Sequence, residues 1–290
     1  MFRFIEREKA NHRVTTMCRL LGVSASGYWG WQRRPPSPRR QRDDELVVRI
    51  RSAHADSRGI YGAPRIHAEL RASGVRCGRK RVARLMRREG LVGVHRRRFV
   101  HASVHTGSAV PAPDLVERRF RRSGPDRLWV ADITYLPTRA GFLYLAAILD
   151  AWSRLVVGWA MAGHMHATLV SAALAMAVAR RHPGPGLVHH SDHGTQYASI
   201  AFGKRLADAG IAASMGSRGD AYDNAMAESF FASLETELID RSDWHTRDEA
   251  LRAVIDYIEA FYNPQRRHSA LGYLSPKQFE RRYGPSSVFA

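Results

Sequence analysis

The hydrophobic pattern of this chain of 290 residues changes its period close to Leu128. Before that residue, apolar side chains recur every three or four positions, as they do in amphipathic helices. After it, short apolar runs typical of strands come first, and helical and strand patterns then alternate. Consecutive strands followed by alternating helices and strands favour a mixed sheet flanked by helices. The sequence therefore predicts an α/β domain that is preceded by all-α segments.

Basic side chains are concentrated in the part of the chain that precedes the predicted sheet. Residues 1–123 contain 29 Lys or Arg and 10 Asp or Glu, whereas residues 124–290 contain 16 and 17. An excess of this size indicates a nucleic-acid-binding module joined to a near-neutral globular domain. Binding to an anionic membrane surface, or a role in solubility alone, would also account for the charge.

Other features of the composition exclude several classes of protein. The two cysteines, Cys18 and Cys77, are far apart and form no CxxC pair, which excludes a disulfide framework and a cysteine-based zinc finger. The longest apolar stretch, residues 169–179, is far shorter than the ~20 residues that cross a bilayer. No apolar secretory segment follows the basic N-terminus. We expect a cytoplasmic protein that faces nucleic acid and not a membrane.

Two stretches predict linkers, and they divide the chain. Residues 33–42 are rich in Pro and Arg and contain no apolar residue that could start a core. The stretch after residue 100 contains few large apolar residues and two prolines. The predicted units are an N-terminal helical segment with its linker (1–42), a helix-turn-helix domain (43–100), a second linker (101–121) and the α/β domain with C-terminal helices (122–285).

The helix-turn-helix prediction depends on residues 60–90. Two helical patterns are joined there by a tight turn at Ser73-Gly74, and the second helix has an apolar stripe at Val82, Leu85 and Met86. A helix of this length with one basic face can lie in the major groove of DNA, although a solvated basic face would give the same pattern. The basic face consists of Lys80, Arg81, Arg84, Arg87 and Arg88.

Three carboxylates occur at unusual positions in the second half. Asp132 interrupts the apolar strand pattern of residues 129–136, and Asp192 follows a short buried strand at 187–191. Glu228 lies on a predicted helix at 223–240, and 35 residues separate it from Asp192. A charge in the middle of a strand is costly to bury without a partner, and ligands collect where the strands of α/β sheets end.

Two strands and a helix that deliver carboxylates to one place would suit a pair of Mg²⁺ ions, because hard cations prefer oxygen ligands. Taken singly, Asp132 could be a satisfied core residue, Asp192 a turn residue and Glu228 a solvated helix residue. Taken together and in this order, they predict a metal-dependent phosphoryl-transfer site.

Motifs spread over most of the chain, from about residue 11 to residue 280, carry a resemblance to a known family. The motifs are YGAPRI (61–66), RLMRREGL (84–91), WVADITY (129–135), HSDHGTQY (190–197), SRGDAYDN (217–224), AESFF (227–231), YNPQRRH (262–268) and LGY (271–273). In this order they resemble the second-frame transposases of bacterial insertion sequences of the IS-three type, a branch of the retroviral-integrase superfamily.

The resemblance implies a ribonuclease-H-like catalytic fold with a mixed five-stranded sheet. It also implies a DDE triad at Asp132, Asp192 and Glu228, and DNA strand cleavage and transfer with two Mg²⁺ or Mn²⁺ ions. Expected partners are double-stranded DNA, as transposon ends and target, and further copies of the same chain. Relatives are often made as a fusion with an upstream reading frame, so the chain could act alone or with such a protein.

One position departs from the family pattern. Relatives often have Lys or Arg seven residues after the catalytic Glu, where this chain has Glu235. Residues seven apart leave nearly the same face of a helix, so Glu235 is predicted to face the DNA track and to repel phosphates. Another base, such as Arg205 or Arg241, would then take over the contact, or the contact would be absent.

The remaining polar candidates have more than one interpretation. His190 and His193 are predicted to shape the loop at Asp192 or to contact substrate, and not to bind Mg²⁺, which prefers oxygen. Asp150 would be a turn residue or a fourth carboxylate, and Asn224 would cap the Glu228 helix. After the Asn-Pro break at residue 263, a basic turn predicts further DNA contacts, or a solvated turn. Its residues are Arg266, Arg267 and His268.

Two other functions would explain part of the sequence. A non-catalytic DNA-binding regulator would account for the basic half, but it has no need of three convergent carboxylates. A nuclease for RNA–DNA hybrids would account for the carboxylates but not for a helix-turn-helix suited to B-form DNA. The prediction is therefore a DNA transposase.

Overall fold

The structure is a computed structural model that describes residues 1–95, 112–117, 119–192, 195–216 and 225–285. Its strands are β1 (Leu128–Leu136), β2 (Leu143–Asp150), β3 (Val156–Ala162), β4 (Val188–Ser191) and β5 (Ala212–Met215). Its helices are α1 (Phe2–Glu8), α2 (Val14–Leu20), α3 (Ala25–Arg33), α4 (Pro38–Asp56), α5 (Ala63–Ala72), α6 (Arg79–Arg88), α7 (Ala167–Arg181), α8 (Ile200–Asp208), α9 (Ala225–Glu237), α10 (Arg247–Ile255) and α11 (Pro276–Tyr283). The chain continues from α10 as a π-helix over Asp256–Tyr262.

The first three helices form a small unit with a core of its own. Ile5, Met17, Cys18 and Tyr28 are buried together, and the side chain of Tyr28 donates a hydrogen bond to Glu6. The pattern of residues 12–32 predicts two helices with Gly22 between them, and these are α2 and α3. Helix α1 was not predicted, because its apolar residues alternate with charged ones over only seven positions.

Helix α4 corrects the first predicted linker. It begins at Pro38, inside the stretch 33–42, and continues for 19 residues. Ser37 caps it by accepting a hydrogen bond from the backbone N–H of Arg40, and Pro38 occupies the first turn, where its missing N–H costs nothing. The first turns of α4 are exposed, so they need no apolar residues, and the absence of such residues was misread as a linker.

Helices α5 and α6 form the predicted helix-turn-helix unit together with α4. The apolar stripe at Val82, Leu85 and Met86 is buried, as are Ile66 and Leu70 on α5. The two helices pack against each other and against α4. The opposite face of α6 carries its basic residues toward solvent.

The described strands form one five-stranded sheet in the order β3-β2-β1-β4-β5. Strands β1, β2 and β3 are antiparallel neighbours, whereas β4 pairs parallel with β1 and with β5. Helix α7 packs closely on β3, where Gly158 leaves no room for a side chain: a Cβ would lie 2.3 Å from the carbonyl oxygen of Ala173. The predicted mixed sheet flanked by helices is confirmed.

The helix-turn-helix unit and the sheet domain share one hydrophobic core. The cluster that contains Ile50, Ile66 and Leu85 continues without interruption into Val130 of β1 and Phe230 of α9. Polar contacts reinforce this junction, because the Tyr61 hydroxyl accepts from the backbone N–H of Arg267 at 2.7 Å and donates to the carbonyl oxygen of Gln265 at 3.2 Å. The helix-turn-helix unit and the sheet domain, which were predicted as separate domains, therefore do not have separate hydrophobic cores. No helix of the described residues is long and apolar enough to cross a membrane.

Candidate active site

Asp132 and Asp192 lie side by side at the centre of the sheet. The parallel register pairs Ala131 of β1 with Ser191 of β4, and the two aspartates are the next residues along each chain. Neighbouring positions in a parallel pair direct their side chains to the same face, and adjacent strands lie about 4.8 Å apart. Strand register therefore brings these two carboxylates together.

Glu228 approaches the same place from a helix. It lies in the first turn of α9, is exposed to solvent, and belongs to a helix that packs against β1. The buried face of α9, with Ala227, Phe230 and Leu234, holds the helix on the shared core. Because these apolar residues recur at helical spacing, Glu228 is left on the solvent side of the helix, at the edge of the carboxylate pair.

The electrostatics of Asp132 show that the charges of the other two carboxylates reach it. Burial, the negative charge of Asp192 and, as a smaller influence, that of Glu228 raise the pKa of Asp132 to about 7. The backbone N–H of Ile133 donates to the Asp132 carboxylate at 2.7 Å and partly opposes the rise. A bound divalent cation would relieve the repulsion between carboxylates in a site of low polarity.

The donor set fits Mg²⁺ or Mn²⁺, although it is not arranged as a finished metal cage. Carboxylate oxygens are the ligands that these cations prefer, and the raised pKa of Asp132 places the three charges within electrostatic reach. In the described part of the chain, no group of three His, Cys, Asp or Glu side chains converges closely enough to hold an ion as it stands. Binding would therefore draw the side chains together.

Other polar residues around the carboxylates have structural partners. Nδ1 of buried His190 lies 2.9 Å from the hydroxyl of Ser214 on β5. Tyr197, which sequence reasoning did not single out, is buried nearby, and its pKa is raised by burial and by the charges of Asp132 and Asp192. His193 and Asn224 lie outside the described residues.

Asp150 is a turn residue and not a fourth carboxylate of the site. It is fully buried at the end of β2, and its carboxylate accepts hydrogen bonds from the backbone N–H groups of Asp126, Trp152 and Ser153. Burial raises its pKa to about 6 while these N–H donors oppose the rise. The turn interpretation, favoured from the sequence, agrees with this arrangement.

The basic face of α6 is partly engaged within its own domain. Buried Asp43 of α4 accepts hydrogen bonds from Arg81 at 2.6 Å and from Arg84 at 2.7 Å, and Arg88 pairs with Glu89. These three guanidinium groups remain partly accessible beside their partners. Lys80 and Arg87 are exposed and pair with no carboxylate of the described residues.

The basic turn after residue 263 is inside the protein, which corrects the prediction that it contacts DNA. Arg266, Arg267 and His268 are each at most 6% exposed. Arg266 makes two hydrogen bonds of 2.6 Å to Glu237, and Arg267 pairs with Glu69 of the helix-turn-helix unit. A buried cation needs a paired carboxylate, so these side chains join elements of the fold. The sequence shows basic residues but not the distant acids that neutralise them.

Family models match three parts of the chain. An HTH-like domain matches residues 41–99, and two models of the integrase core domain match residues 122–221 and 209–276. The transposase InsF for insertion sequence IS3A of Escherichia coli strain K12 is 41% identical over 281 residues, which cover 96% of this chain and 98% of that protein. This chain belongs to the IS3-type insertion-sequence transposases.

A second relative and a solved structure are also similar to this chain. The insertion element IS600 uncharacterized 31 kDa protein of Shigella sonnei is 40% identical over 92% of this chain and 98% of that protein. Among solved structures, the HTLV-2 integrase catalytic core domain in complex with magnesium covers 55% of this chain and 99% of its own, with 17% identity and a TM-score of 0.41. An IS3-type transposase is a DDE polynucleotidyl transferase that binds DNA and catalyses DNA cleavage and strand transfer.

Glu235, the residue that departs from the family pattern, lies on α9 of the transposase. Glu235 lies two turns after Glu228 on α9 and is partly buried. Arg241, proposed from the sequence as a substitute base, donates through its guanidinium to the carbonyl oxygens of Arg58 and Glu237. Arg205 is exposed on α8. The prediction that Glu235 faces DNA stays a prediction.

Proposed function

We propose that Asp132, Asp192 and Glu228 are the catalytic triad of this transposase and that together they hold two Mg²⁺ or Mn²⁺ ions. The observation that carries the proposal is the parallel register of β1 and β4, which sets Asp132 beside Asp192, with Glu228 on a helix packed against β1. The raised pKa of Asp132 supports it, because separated carboxylates would not repel one another.

The bound ions would neutralise the reacting phosphate and lower the pKa of an attacking water or 3′-hydroxyl. The chain supplies the geometry. Asp132 and Asp192 are held by strand register, and Glu228 is held by the buried face of α9. Ser214, whose hydroxyl lies 2.9 Å from Nδ1 of His190, is buried and so is not placed to attack DNA and form a covalent intermediate. Cleavage that frees a 3′-hydroxyl, followed by attack of that hydroxyl on a second phosphodiester, therefore needs only positioned oxygens and charge neutralisation.

Titration of the full chain with Mg²⁺ tests the ligand assignment. The folded-state pKa of Asp132 lies above its unfolded value near 4, so the ionised Asp132 carboxylate destabilises the folded protein. This destabilisation grows as the pH rises from about 4 to about 7, and it is complete above that pH. Mg²⁺ should therefore raise the midpoint of thermal unfolding more at pH 8 than at pH 5. Asp132→Asn should unfold several degrees higher than wild type without metal at pH 8, and should lose most of the Mg²⁺ response.

The exposed Asp208→Asn on α8 is the matched control, and it should respond to Mg²⁺ as the wild type does. An Asp132→Asn variant that keeps the full response at pH 8 would remove Asp132 from the ligand set.

We further propose that the DNA backbone binds a cleft between α4 and α6. The cleft has a volume of about 500 Å³, and the described residues that line it are all cations: Arg39, Arg42, Lys80, Arg81 and Arg84. Arg39 and Arg42 lie in the part of α4 that the sequence placed in a linker. Ion pairs with Asp43 hold Arg81 and Arg84 in place, and such pairing leaves donors on each guanidinium for a phosphate.

The salt dependence of DNA binding tests this cleft. Each phosphate contact contributes roughly −0.9 to the slope of log K against log salt for duplex DNA. Lys80→Ala and Arg39→Ala, which remove two cations that line the cleft, should each weaken binding of transposon-end DNA and reduce the slope by about one unit. Arg252→Ala is the control, because it removes one positive charge from an exposed position on α10, away from the cleft. Equal slopes for Lys80→Ala and wild type would place the phosphate backbone elsewhere.

We also propose that the transposase acts as a homo-oligomer on DNA, alone or with a protein from an upstream reading frame. Exposed apolar residues of the N-terminal unit, including Phe4, Leu20 and Trp29, support an interaction surface there.

A further inference from the structure

A cavity of about 120 Å³ lies where α9 meets the helix-turn-helix unit and the turn between β2 and β3. Helix α9 contributes Ser229 and Ser233, α5 contributes Arg65, and the turn contributes Arg154. Ser233 is five residues after Glu228, so at 100° per residue it leaves a different face of the helix. None of Asp132, Asp192 and Glu228 lines the cavity, which is therefore separate from the carboxylate site and could hold several water molecules or one small ion.

The lining of this cavity is positively charged. Arg65, Arg154 and Arg266 line it, and no Asp or Glu does so among the described residues. Glu237 lies behind the wall, where it pairs with Arg266 at 2.6 Å and with Arg65 at 3.2 Å. One carboxylate therefore pairs with two of the three guanidinium groups, and positive charge remains uncompensated.

The uncompensated charge belongs mainly to Arg154. Arg154 is partly buried, and its side chain has no hydrogen bond or ion pair with another described residue. Its backbone is left-handed, with φ at 61°, a conformation that costs a residue with a Cβ roughly 1–2 kcal/mol. The Asp150 turn maintains it, because the backbone N–H of Arg154 donates to the carbonyl oxygen of Asp150 at 2.8 Å. A strained residue that directs an unpaired cation into a cavity indicates a ligand.

Neighbouring side chains respond to the same charge. Burial, and then the charges of Arg266, Arg154 and Arg65, hold the pKa of His268 well below its usual value, so His268 is neutral and adds no cation. At the exposed mouth of the cavity, the hydroxyls of Ser229 and Ser269 make no hydrogen bond to other described residues. They are donors that an anion could use.

We propose that this cavity binds a phosphate group, held by Arg154 with help from the outer N–H groups of Arg65 and the hydroxyls of Ser229 and Ser269. Guanidinium groups bind phosphate oxygens through paired, charge-assisted hydrogen bonds, and hydroxyls supply the remaining donors. The phosphate comes either from the backbone of bound DNA or from free inorganic phosphate. In both cases it joins α9, α5 and the β2–β3 turn.

Thermal unfolding of the full chain in inorganic phosphate, compared with chloride at equal ionic strength, tests the proposal. The midpoint of the wild type should rise with phosphate. For Arg154→Asn, the apparent dissociation constant for phosphate should rise at least tenfold. Asn tolerates the left-handed backbone, so this variant should unfold in chloride at or near the wild-type temperature. Arg154→Lys should keep part of the phosphate response, and Arg252→Ala, which removes one exposed arginine on α10, should keep all of it.

Binding of transposon-end DNA distinguishes the two sources. If the ligand is a DNA phosphate, Arg154→Asn should reduce the slope of log K against log salt by about one unit. If it is free phosphate, DNA affinity and slope should be unchanged while the thermal response is lost. A wild type that responds equally to phosphate and chloride would overturn the proposal, and so would an Arg154→Asn variant that keeps the wild-type phosphate response.

Discussion

Asp192→Asn should reduce joining of transposon ends by at least about 1,000-fold, the scale of loss when a group essential to the transition state is removed. The side chain keeps its size and its place after β4, beside Asp132. Only its charge and one strong oxygen ligand are lost. The measurement is the rate at which labelled transposon ends join a target duplex in Mg²⁺, with the affinity for the same ends measured in parallel.

Measuring the joining rate and the DNA affinity in parallel separates a loss of catalysis from a loss of DNA binding. DNA affinity of Asp192→Asn should stay within about twofold of wild type, because most of the affinity comes from contacts between basic residues and phosphates. Asp208→Asn, an equal change on the exposed surface of α8, should join ends at the wild-type rate. Wild-type joining by Asp192→Asn would mean that the carboxylate pair at the centre of the sheet is not the catalytic site.

Glu237→Ala should destabilise the protein by about 3–5 kcal/mol, because it leaves buried Arg266 without its carboxylate. Glu237 also accepts a hydrogen bond from Tyr257 at 2.8 Å and pairs with Arg65 of the helix-turn-helix unit. The loss should lower the midpoint of thermal unfolding by roughly 10 °C for a chain of this size.

The loss should also depend on pH. Burial alone would raise the pKa of Glu237, but the hydrogen bonds and charge of Arg266, with the charge of Arg65, hold it below its usual value. A lowered folded-state pKa stabilises the protein above the unfolded pKa near 4.3, and this contribution is lost as the pH falls through the folded value. The difference between wild type and Glu237→Ala should therefore be full at pH 7 and smaller below pH 4.

A surface pair provides the matched control. Arg139 and Asp243 form an ion pair whose side chains are more than half exposed, so Asp243→Ala should change the free energy of unfolding by less than about 1 kcal/mol. Replacing Glu237 and Arg266 together by Met should recover much of the stability lost in Glu237→Ala. Equal losses at Glu237 and Asp243 would show that the buried network does not hold the two domains together.

Much of the fold could be predicted because its signals are local. The stripe at Val82, Leu85 and Met86 has the period of a helix and is buried as expected. Apolar runs at 142–149, 155–161 and 212–215 also predict strands. Strand β5 has the predicted bounds, β1 and β4 differ from prediction by one residue at one end, and β2 and β3 are shifted by one residue at both ends. Apolar runs and their spacing within short segments determine these elements, and residues far away in the sequence have little influence on them.

The errors occurred where burial or pairing depends on distant residues. The start of α4 was assigned to a linker because it has no apolar face, yet a Ser-Pro cap begins the helix in solvent. Arg266 and Arg267 were assigned to DNA because they are basic, and Glu237 and Glu69, the acids that neutralise them, are far away in sequence. A charge pattern by itself does not tell a solvated arginine from a buried, paired one.

The sequence by itself determined the class of the sheet domain, and it predicted the three carboxylates and the chemistry that they suit, because periodicity and residue type are properties of short segments. Only the tertiary structure decided that β1 and β4 are parallel neighbours in the register that joins Asp132 to Asp192. It also decided that the helix-turn-helix unit shares its core with α9, and that Arg154 points into a cavity beside it. Register, burial and ion pairing depend on which distant segments meet, and that is settled only when the whole chain packs.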